Sequence, residues 1–185
     1  MKQMKFLPRM AGLAVAGSLL ALAGCSSREP TADAGRSSHA AAIADAPRVD
    51  ACVLMPVANV AAILQANDGG SAKTQYASIG GMCSYRDSDT DTKLLIDFTR
   101  LKSVEAAEAA MANERKMFHE RGIEPTPVTG LGDEAFAAEA EGSEGLKIRV
   151  GAYEGQINLS VGERPPVSLR PAVLALGKQV LARLP

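Results

Sequence analysis

The sequence contains no tryptophan, few other aromatic residues, only two histidines and only three cysteines, and these shortages limit the chemistry it can support. Two His and three Cys leave little material for a metal site or a nucleophilic triad. No H-E-x-x-H, P-loop, G-x-S-x-G or C-x-x-C pattern is present. The 185 residues carry 20 basic and 21 acidic side chains, and this balance lacks the basic excess of a nucleic-acid-binding protein. The composition therefore argues against an enzyme and against a nucleic-acid partner.

The first 24 residues have the layout of a secretory signal peptide. Lys2, Lys5 and Arg9 form a positive region without acidic residues, and an apolar run follows from Met10 to Ala23. This run is too short to span a bilayer, for which about 20 apolar residues are needed. We therefore expect residues 1–24 to direct export and to be removed.

The apolar run ends in Leu22-Ala23-Gly24-Cys25, which resembles the bacterial lipobox at all four positions. The resemblance implies that the Cys25 thiol receives a diacylglyceryl group before cleavage and that another acyl chain joins the new amino group. Two or more acyl chains give stable membrane anchoring. An ordinary signal peptide with Cys25 present by chance is the alternative. In a Gram-negative host, Ser26 after the cysteine is typical of an outer-membrane destination.

Residues 26–49 are rich in Ala, Ser, Pro, Arg and Asp and have no lasting apolar period. Such a composition buries too little apolar surface to offset chain entropy, and it predicts a disordered tether. The chain is therefore divided into a signal peptide at 1–24, a lipidated cysteine and tether at 25–49, and a single folded domain at 50–185. A domain of that length is large enough for a core of its own.

Apolar periodicity in the folded part predicts three helices, at 56–66, 103–121 and 171–184. Strands are predicted at 81–85, 93–100, 146–152 and 157–161. The segment Asp133–Glu139 is ambiguous, because Ala and Glu favour a helix whereas its position favours a strand. The resulting order, α-β-β-α-β-β-β-α, indicates an α+β domain in which helices pack against an antiparallel sheet.

The clearest pattern is a β-hairpin with Glu154-Gly155 as its two-residue turn. This turn predicts that Ala152 pairs with Ile157, Val150 with Leu159, and Ile148 with Val161. Each of these pairs is apolar on both sides. The outward face of the hairpin is a candidate contact surface, provided that no helix covers it. Its polar side chains are Lys147, Arg149, Asn158 and Ser160.

Cys52 and Cys83 are the two thiols that remain after lipidation of Cys25, and an even pair in an exported domain indicates a disulfide. Redox-active or metal-binding thiols, and two unpaired thiols, are the alternatives. A redox pair usually needs C-x-x-C spacing and an activating environment, and the sequence supplies neither.

Four segments resemble a family of small secreted lipoproteins that is abundant in actinobacteria and mostly uncharacterised. They are Asp50-Ala51-Cys52-Val53-Leu54, Cys83-Ser84-Tyr85, Gly130-Leu131-Gly132-Asp133-Glu134-Ala135 and Leu181-Ala182-Arg183-Leu184. The resemblance covers most of the folded domain. It implies a PsbP-like α/β sandwich, and it carries over the lipid-bearing role of Cys25 and the pairing of Cys52 with Cys83, but no activity.

A glycine-rich pattern and His119 each have both a structural and a chemical interpretation. Gly130-x-Gly132-x-x-Ala135 fits a dinucleotide fingerprint, but the proline-containing segment before it is a poor central strand, so a turn into a strand is favoured. His119 near a helix end suits the helix dipole. As a catalytic base it would need a nucleophile and an orienting acid, and no motif supplies them.

The acidic segment Asp87-x-Asp89-x-Asp91 is similar to the start of a Ca²⁺-binding loop. Such a loop needs Gly at its sixth position and a bidentate Glu at its twelfth, where this sequence has Thr92 and Phe98. A solvated hairpin loop is favoured, and weak Ca²⁺ binding is left open.

These observations predict a lipid-anchored cell-envelope protein, facing the periplasm or the exterior, whose folded domain is a non-catalytic binding or interaction module. Its expected partners are the membrane, through the anchor, and an unidentified protein, small ligand or wall component; no cofactor, metal or nucleic acid is expected. Two alternatives remain. One is an envelope hydrolase that uses His119 with a nearby Ser or Asp, and the other is a structural or assembly subunit of an envelope complex.

Overall fold

The computed structural model describes residues 49–77, 80–140, 142–162 and 168–185, and in them two helices precede three strands, and a third helix separates these from four more strands and a last helix. The predicted signal peptide, Cys25 and nearly all of the predicted tether lie outside these residues. The helices are α1 (Ala51–Leu54), α2 (Val57–Ala66), α3 (Val104–Glu120) and α4 (Arg170–Leu181). The strands are β1 (Thr74–Ala77), β2 (Cys83–Asp87), β3 (Thr92–Arg100), β4 (Thr126–Pro127), β5 (Glu134–Ala140), β6 (Ser143–Val150) and β7 (Tyr153–Ser160).

In this part of the chain, seven strands form one antiparallel sheet in the order β1-β2-β3-β7-β6-β5-β4. The predicted α+β class with an antiparallel sheet is confirmed. The predicted order of elements was incomplete, because it lacked α1, β1 and β4. Each of these elements has four residues or fewer, which is too short to show an apolar period.

The ambiguous segment Asp133–Glu139 is a strand, since β5 pairs with both β4 and β6. It follows Gly130 and Gly132, whose φ angles of 71° and 68° lie in the left-handed region that favours glycine. The Gly-x-Gly-x-x-Ala pattern is therefore a turn into a strand, as predicted. A dinucleotide site would need a helix at this place.

Successive side chains of each strand point to opposite faces of the sheet. One face is apolar, is covered by α1, α2 and α4, and forms the main core. Gly177 of α4 lies against this face, and a Cβ there would approach the Leu146 side chain to 3.0 Å, so glycine permits close packing. The fully buried strand residues of this face include Leu94, Ile96, Leu146, Ile148, Ile157 and Leu159.

The predicted hairpin exists as β6 and β7, but its predicted register was wrong. Gly151-Ala152 forms the turn, and Ile157 pairs with Leu146 instead of Ala152, a shift of six residues. Both registers put apolar residues on the same face, because they differ by an even number of residues. Apolar alternation alone therefore could not distinguish them.

Gly155 explains the observed register. It lies inside β7, opposite Phe98 of β3, and a Cβ on residue 155 would overlap the Phe98 ring. The ring is buried. Glycine is therefore required here by the close approach of an aromatic side chain, where the sequence pattern favoured a turn.

A disulfide joins Cys52 in α1 to Cys83 in β2, as predicted, across a sequence separation of 31 residues. Asp50 caps α1 by accepting hydrogen bonds from the backbone N–H groups of Cys52 and Val53. The Tyr85 hydroxyl donates to the Met55 carbonyl. These contacts hold α1 in place, since a four-residue helix is not stable by itself.

We expect Gly155→Ala to lower the free energy of unfolding by about 1–3 kcal/mol, because the added methyl group overpacks the Phe98 ring. Urea denaturation measures the change. In a Phe98→Leu background the same substitution should cost much less, since the smaller side chain leaves room for the methyl group. A neutral effect of Gly155→Ala in the wild-type background would contradict the observed register.

Candidate functional site

The second face of the sheet is only partly covered, and α3 lies over its β6 and β7 part. Lys147 and Arg149 beneath the helix are each 8% exposed. Lys147 Nζ lies 3.0 Å from Glu114 Oε2, and Arg149 Nε lies 3.3 Å from Glu134 Oε2. The prediction that these two cations belong to an open contact surface was therefore wrong, because a helix covers them and carboxylates neutralise them.

Local signals set the limits of α3. The Ser103 hydroxyl accepts a hydrogen bond from the Ala106 N–H at 3.2 Å, which is the predicted N-cap. Gly122, with φ of 73°, follows the helix and acts as the predicted stop. With these ends, the helix covers one part of the polar face and leaves another part outside its cover.

The remaining part of the polar face forms a shallow depression of about 640 Å³ over β2 and β3 and the adjoining ends of β6 and β7. We call this region the open sheet face. Asn158 and Ser160, which belong to the predicted contact surface, both lie in it. Strand alternation directs these lining side chains into the depression: Ser84, Arg86, Lys93, Leu95, Ser143, Asn158 and Ser160.

Two cations meet on the open sheet face. Arg86 of β2 is directly opposite Lys93 of β3, and both residues are exposed. Lys93 Nζ lies 2.9 Å from Asp91 Oδ1 in an exposed ion pair of little energetic value. No carboxylate of the described residues forms an ion pair with Arg86. Like charges directly opposite in a sheet are destabilising, so this pair does not serve the fold and is suited to attract an anion.

Glu144 lines the depression with its backbone, because its side chain points to the apolar face. The side chain is 1% exposed. Arg170 Nε donates to Glu144 Oε1 at 3.0 Å, whereas Oε2 has no hydrogen-bond partner among the described residues. Burial raises the pKa of the Glu144 carboxyl, and Arg170 opposes this rise. Glu144 therefore does not neutralise the cations on the opposite face.

The acidic turn between β2 and β3 is held by hydrogen bonds and lysines. Asp87 Oδ1 accepts from the Asp89 N–H at 2.9 Å, and this bond, together with Lys73, holds the pKa of Asp87 below its usual value. Lys73 also pairs with Asp89. No group of three acidic, Cys or His residues within the described ranges is placed to hold a metal ion. The predicted hairpin loop is confirmed, although Asp87 itself is buried.

His119, the candidate base, lies near the C-terminal end of α3. Its Nδ1 atom is 3.0 Å from Glu124 Oε2, and both side chains are largely exposed. His119 does not belong to the lining of the depression. The structure thus places the candidate base and the open sheet face at separate positions.

Four residues of the depression were not predicted as site residues: Ser84, Arg86, Lys93 and Ser143. The alternation of Arg86 with buried Tyr85, and of Lys93 with buried Leu94, was a signal that both cations point away from the core. The sequence did not indicate that β3 and β7 are neighbours, and this pairing brings the lining residues together.

Comparison of the chain with protein-family models, with curated protein sequences and with solved structures found no match. Among the described residues, no helix combines the length and the apolar character needed to cross a bilayer.

We expect Arg86→Gln to raise the free energy of unfolding by about 0.2–1 kcal/mol, because it removes repulsion from Lys93. Urea denaturation at low ionic strength measures the gain, and added salt should reduce it by screening. Lys178→Gln, which removes an exposed charge from α4, is the matched control and should change little. A loss of stability on Arg86→Gln would mean that the fold needs this guanidinium.

Glu144 should make stability fall as the pH rises. Its raised pKa means that the folded state binds more protons than the unfolded state between the ordinary value of 4.5 and the raised value. The contribution is therefore fully present below pH 4.5 and lost as the pH rises through the raised pKa. Relative to Glu144→Gln, the wild type should become less stable between pH 4 and pH 7 in urea denaturation. Glu120→Gln, at an exposed position, is the control, and an unchanging difference for Glu144→Gln would contradict the expectation.

Proposed function

We propose that this chain is a lipid-anchored protein of the cell envelope whose folded domain binds a ligand or partner on the open sheet face. Three features support the anchor. These are the basic and apolar N-terminal pattern, the match of Leu22-Ala23-Gly24-Cys25 to the lipobox, and the disulfide between Cys52 and Cys83. Disulfides persist in oxidising compartments outside the cytosol, so the bond is consistent with export.

The observation that carries the binding role is the pair of opposed cations on an uncovered sheet face. Elsewhere on the same face, Lys147 and Arg149 are buried under α3 and neutralised by carboxylates. Arg86 and Lys93 remain exposed, and Arg86 has no ion pair within the described residues. Exposed cations that weaken the fold are explained by a function that uses them.

The lining of the open sheet face favours binding over catalysis. Hydroxyls, an amide and two cations point into it, and the buried carboxyl of Glu144 points away. A serine hydroxyl is a weak nucleophile unless a nearby base activates it. His119, the candidate base of the alternative hydrolase, lies on α3 and outside this lining.

We also propose that the chain belongs with the small secreted lipoproteins of actinobacterial type and shares a PsbP-like fold. The Gly130–Ala135 segment supports this proposal, because its contacts are structural. Asp133 Oδ2 accepts from the Gly151 N–H at 2.7 Å, and Glu134 pairs with Arg115 at 2.6 Å. A motif that fixes the β6–β7 turn and attaches α3 is one that proteins of a common fold would share.

The composition of residues 26–49 predicts a tether, which would let the domain reach a partner near the membrane. A flexible coil of this length has a root-mean-square span of about 25–30 Å. The open sheet face can then turn toward neighbouring envelope components while the acyl chains hold Cys25 in the bilayer.

We expect Cys25→Ala to abolish acylation, because the variant lacks the thiol to which the diacylglyceryl group would be attached. Growth with an alkyne fatty acid, followed by intact mass measurement, should show a wild-type chain that begins at Cys25 and carries acyl groups. The control Cys52→Ala/Cys83→Ala loses two thiols but keeps the lipobox, and it should still be labelled. A wild-type chain that retains residues 1–24, or that carries no acyl group, would contradict the proposal.

A further inference from the structure

We infer that the open sheet face binds an anionic oligosaccharide, that is, a sugar chain that bears carboxylate or phosphate groups. The inference rests on the proposed binding role of this face and adds the chemistry of the ligand. It combines the charge of the face, the polar groups around that charge, and the absence of features that other ligand classes would need.

The charge of the open sheet face selects an anion. Arg86 and Lys93 are cross-strand neighbours, and cross-strand side chains start only about 4.5–5.5 Å apart at Cβ. One carboxylate or phosphate can therefore contact both. The planar guanidinium of Arg86 matches either anion through two parallel hydrogen bonds. Bound anion would relieve the repulsion between the two cations.

The groups around the cations suit a hydroxylated ligand. Ser84, Ser143, Ser160 and Asn158 line the same depression and can both donate and accept hydrogen bonds. Tyr76 pairs with Ser84 and shares its face of the sheet, and it is 53% exposed. Its ring provides a flat apolar surface beside the polar groups, as the C–H face of a sugar ring requires.

Other ligand classes fit the open sheet face less well. Among the described residues that line the depression, Leu95 is the one apolar side chain that points into it. This leaves little apolar surface for an acyl chain or an apolar peptide. The strands beneath the depression are hydrogen-bonded to each other, so a peptide cannot join them there as an added strand. An oligosaccharide needs neither feature.

The test uses the full mature lipoprotein in non-ionic detergent and isothermal titration with defined probes. Trigalacturonate and maltotriose 6-phosphate carry the two anion types, maltotriose is the uncharged match, and triglutamate is an anion without a sugar. One or both anionic sugars should bind at least tenfold more tightly than maltotriose and triglutamate. Added salt should weaken this binding.

Two sets of variants locate the binding. Arg86→Gln/Lys93→Gln should weaken the anionic sugar at least tenfold, whereas Lys116→Gln/Lys178→Gln removes the same charge elsewhere and should leave the affinity unchanged. Ser84→Trp keeps both cations but fills the depression, and it should also weaken binding. Urea denaturation confirms that each variant is folded.

Several results would overturn the inference. They are no binding of either anionic sugar at millimolar concentration, equal binding of triglutamate, equal affinity in Arg86→Gln/Lys93→Gln, or preferential binding of vesicles that contain phosphatidylglycerol. Failure of the proposed anchor is a separate result, because it is measured from the intact mass of the chain. An acylated chain that binds none of the sugars would reject the inference and leave the anchor standing.

Discussion

The pairing of β3 with β7 is the interaction on which the rest of the structure depends. It joins the N-terminal strands β1–β3 to the C-terminal strands β4–β7, and its register is fixed where Phe98 lies over Gly155. The same register puts Lys93 opposite Ser160 and Leu95 opposite Asn158. A shift of one residue would move every β3 side chain to the other face. The buried aromatic contact in the core therefore also assembles the open sheet face.

The two kinds of cation on the polar face show how helix cover decides the role of a residue. Lys147 and Arg149 are desolvated by α3, and burial of an unpaired charge would be costly, so carboxylates of α3 and β5 pair with them. Arg86 and Lys93 lie on strands that α3 does not cover. Both remain hydrated, so neither needs a carboxylate to compensate for burial. Basic residues of the same sheet face thus attach α3 where the helix covers them, and they remain accessible where it does not.

Long helices and strands with a clear apolar period were predictable from the sequence. The pairing of strands that lie far apart in the chain was not. The 17 residues of α3 are bounded by Ser103 and Gly122, and both signals are readable because capping is local. The β6–β7 register was not readable, because a two-residue period is unchanged by a shift of six. The pairing of Cys52 with Cys83 followed from the number of cysteines and the predicted export of the chain. Of the seven side chains that line the candidate site, Asn158 and Ser160 were predicted from the hairpin, whereas Arg86 and Ser84 join them only through the β3–β7 contact.

A sheet region with one bare face buries less apolar surface than a region covered on both sides, and it needs stability from another source. β2 is such a strand, because Arg86 and Ser84 face the depression while Cys83 and Tyr85 face the core. The disulfide attaches α1 to β2 on its covered side. In the chain-entropy model, a closed loop of this size contributes about 3–4 kcal/mol, a large part of the 5–15 kcal/mol typical of a domain. The crosslink therefore lies on the strand that carries half of the opposed cation pair, and it offsets the cost of leaving that strand open on its other side.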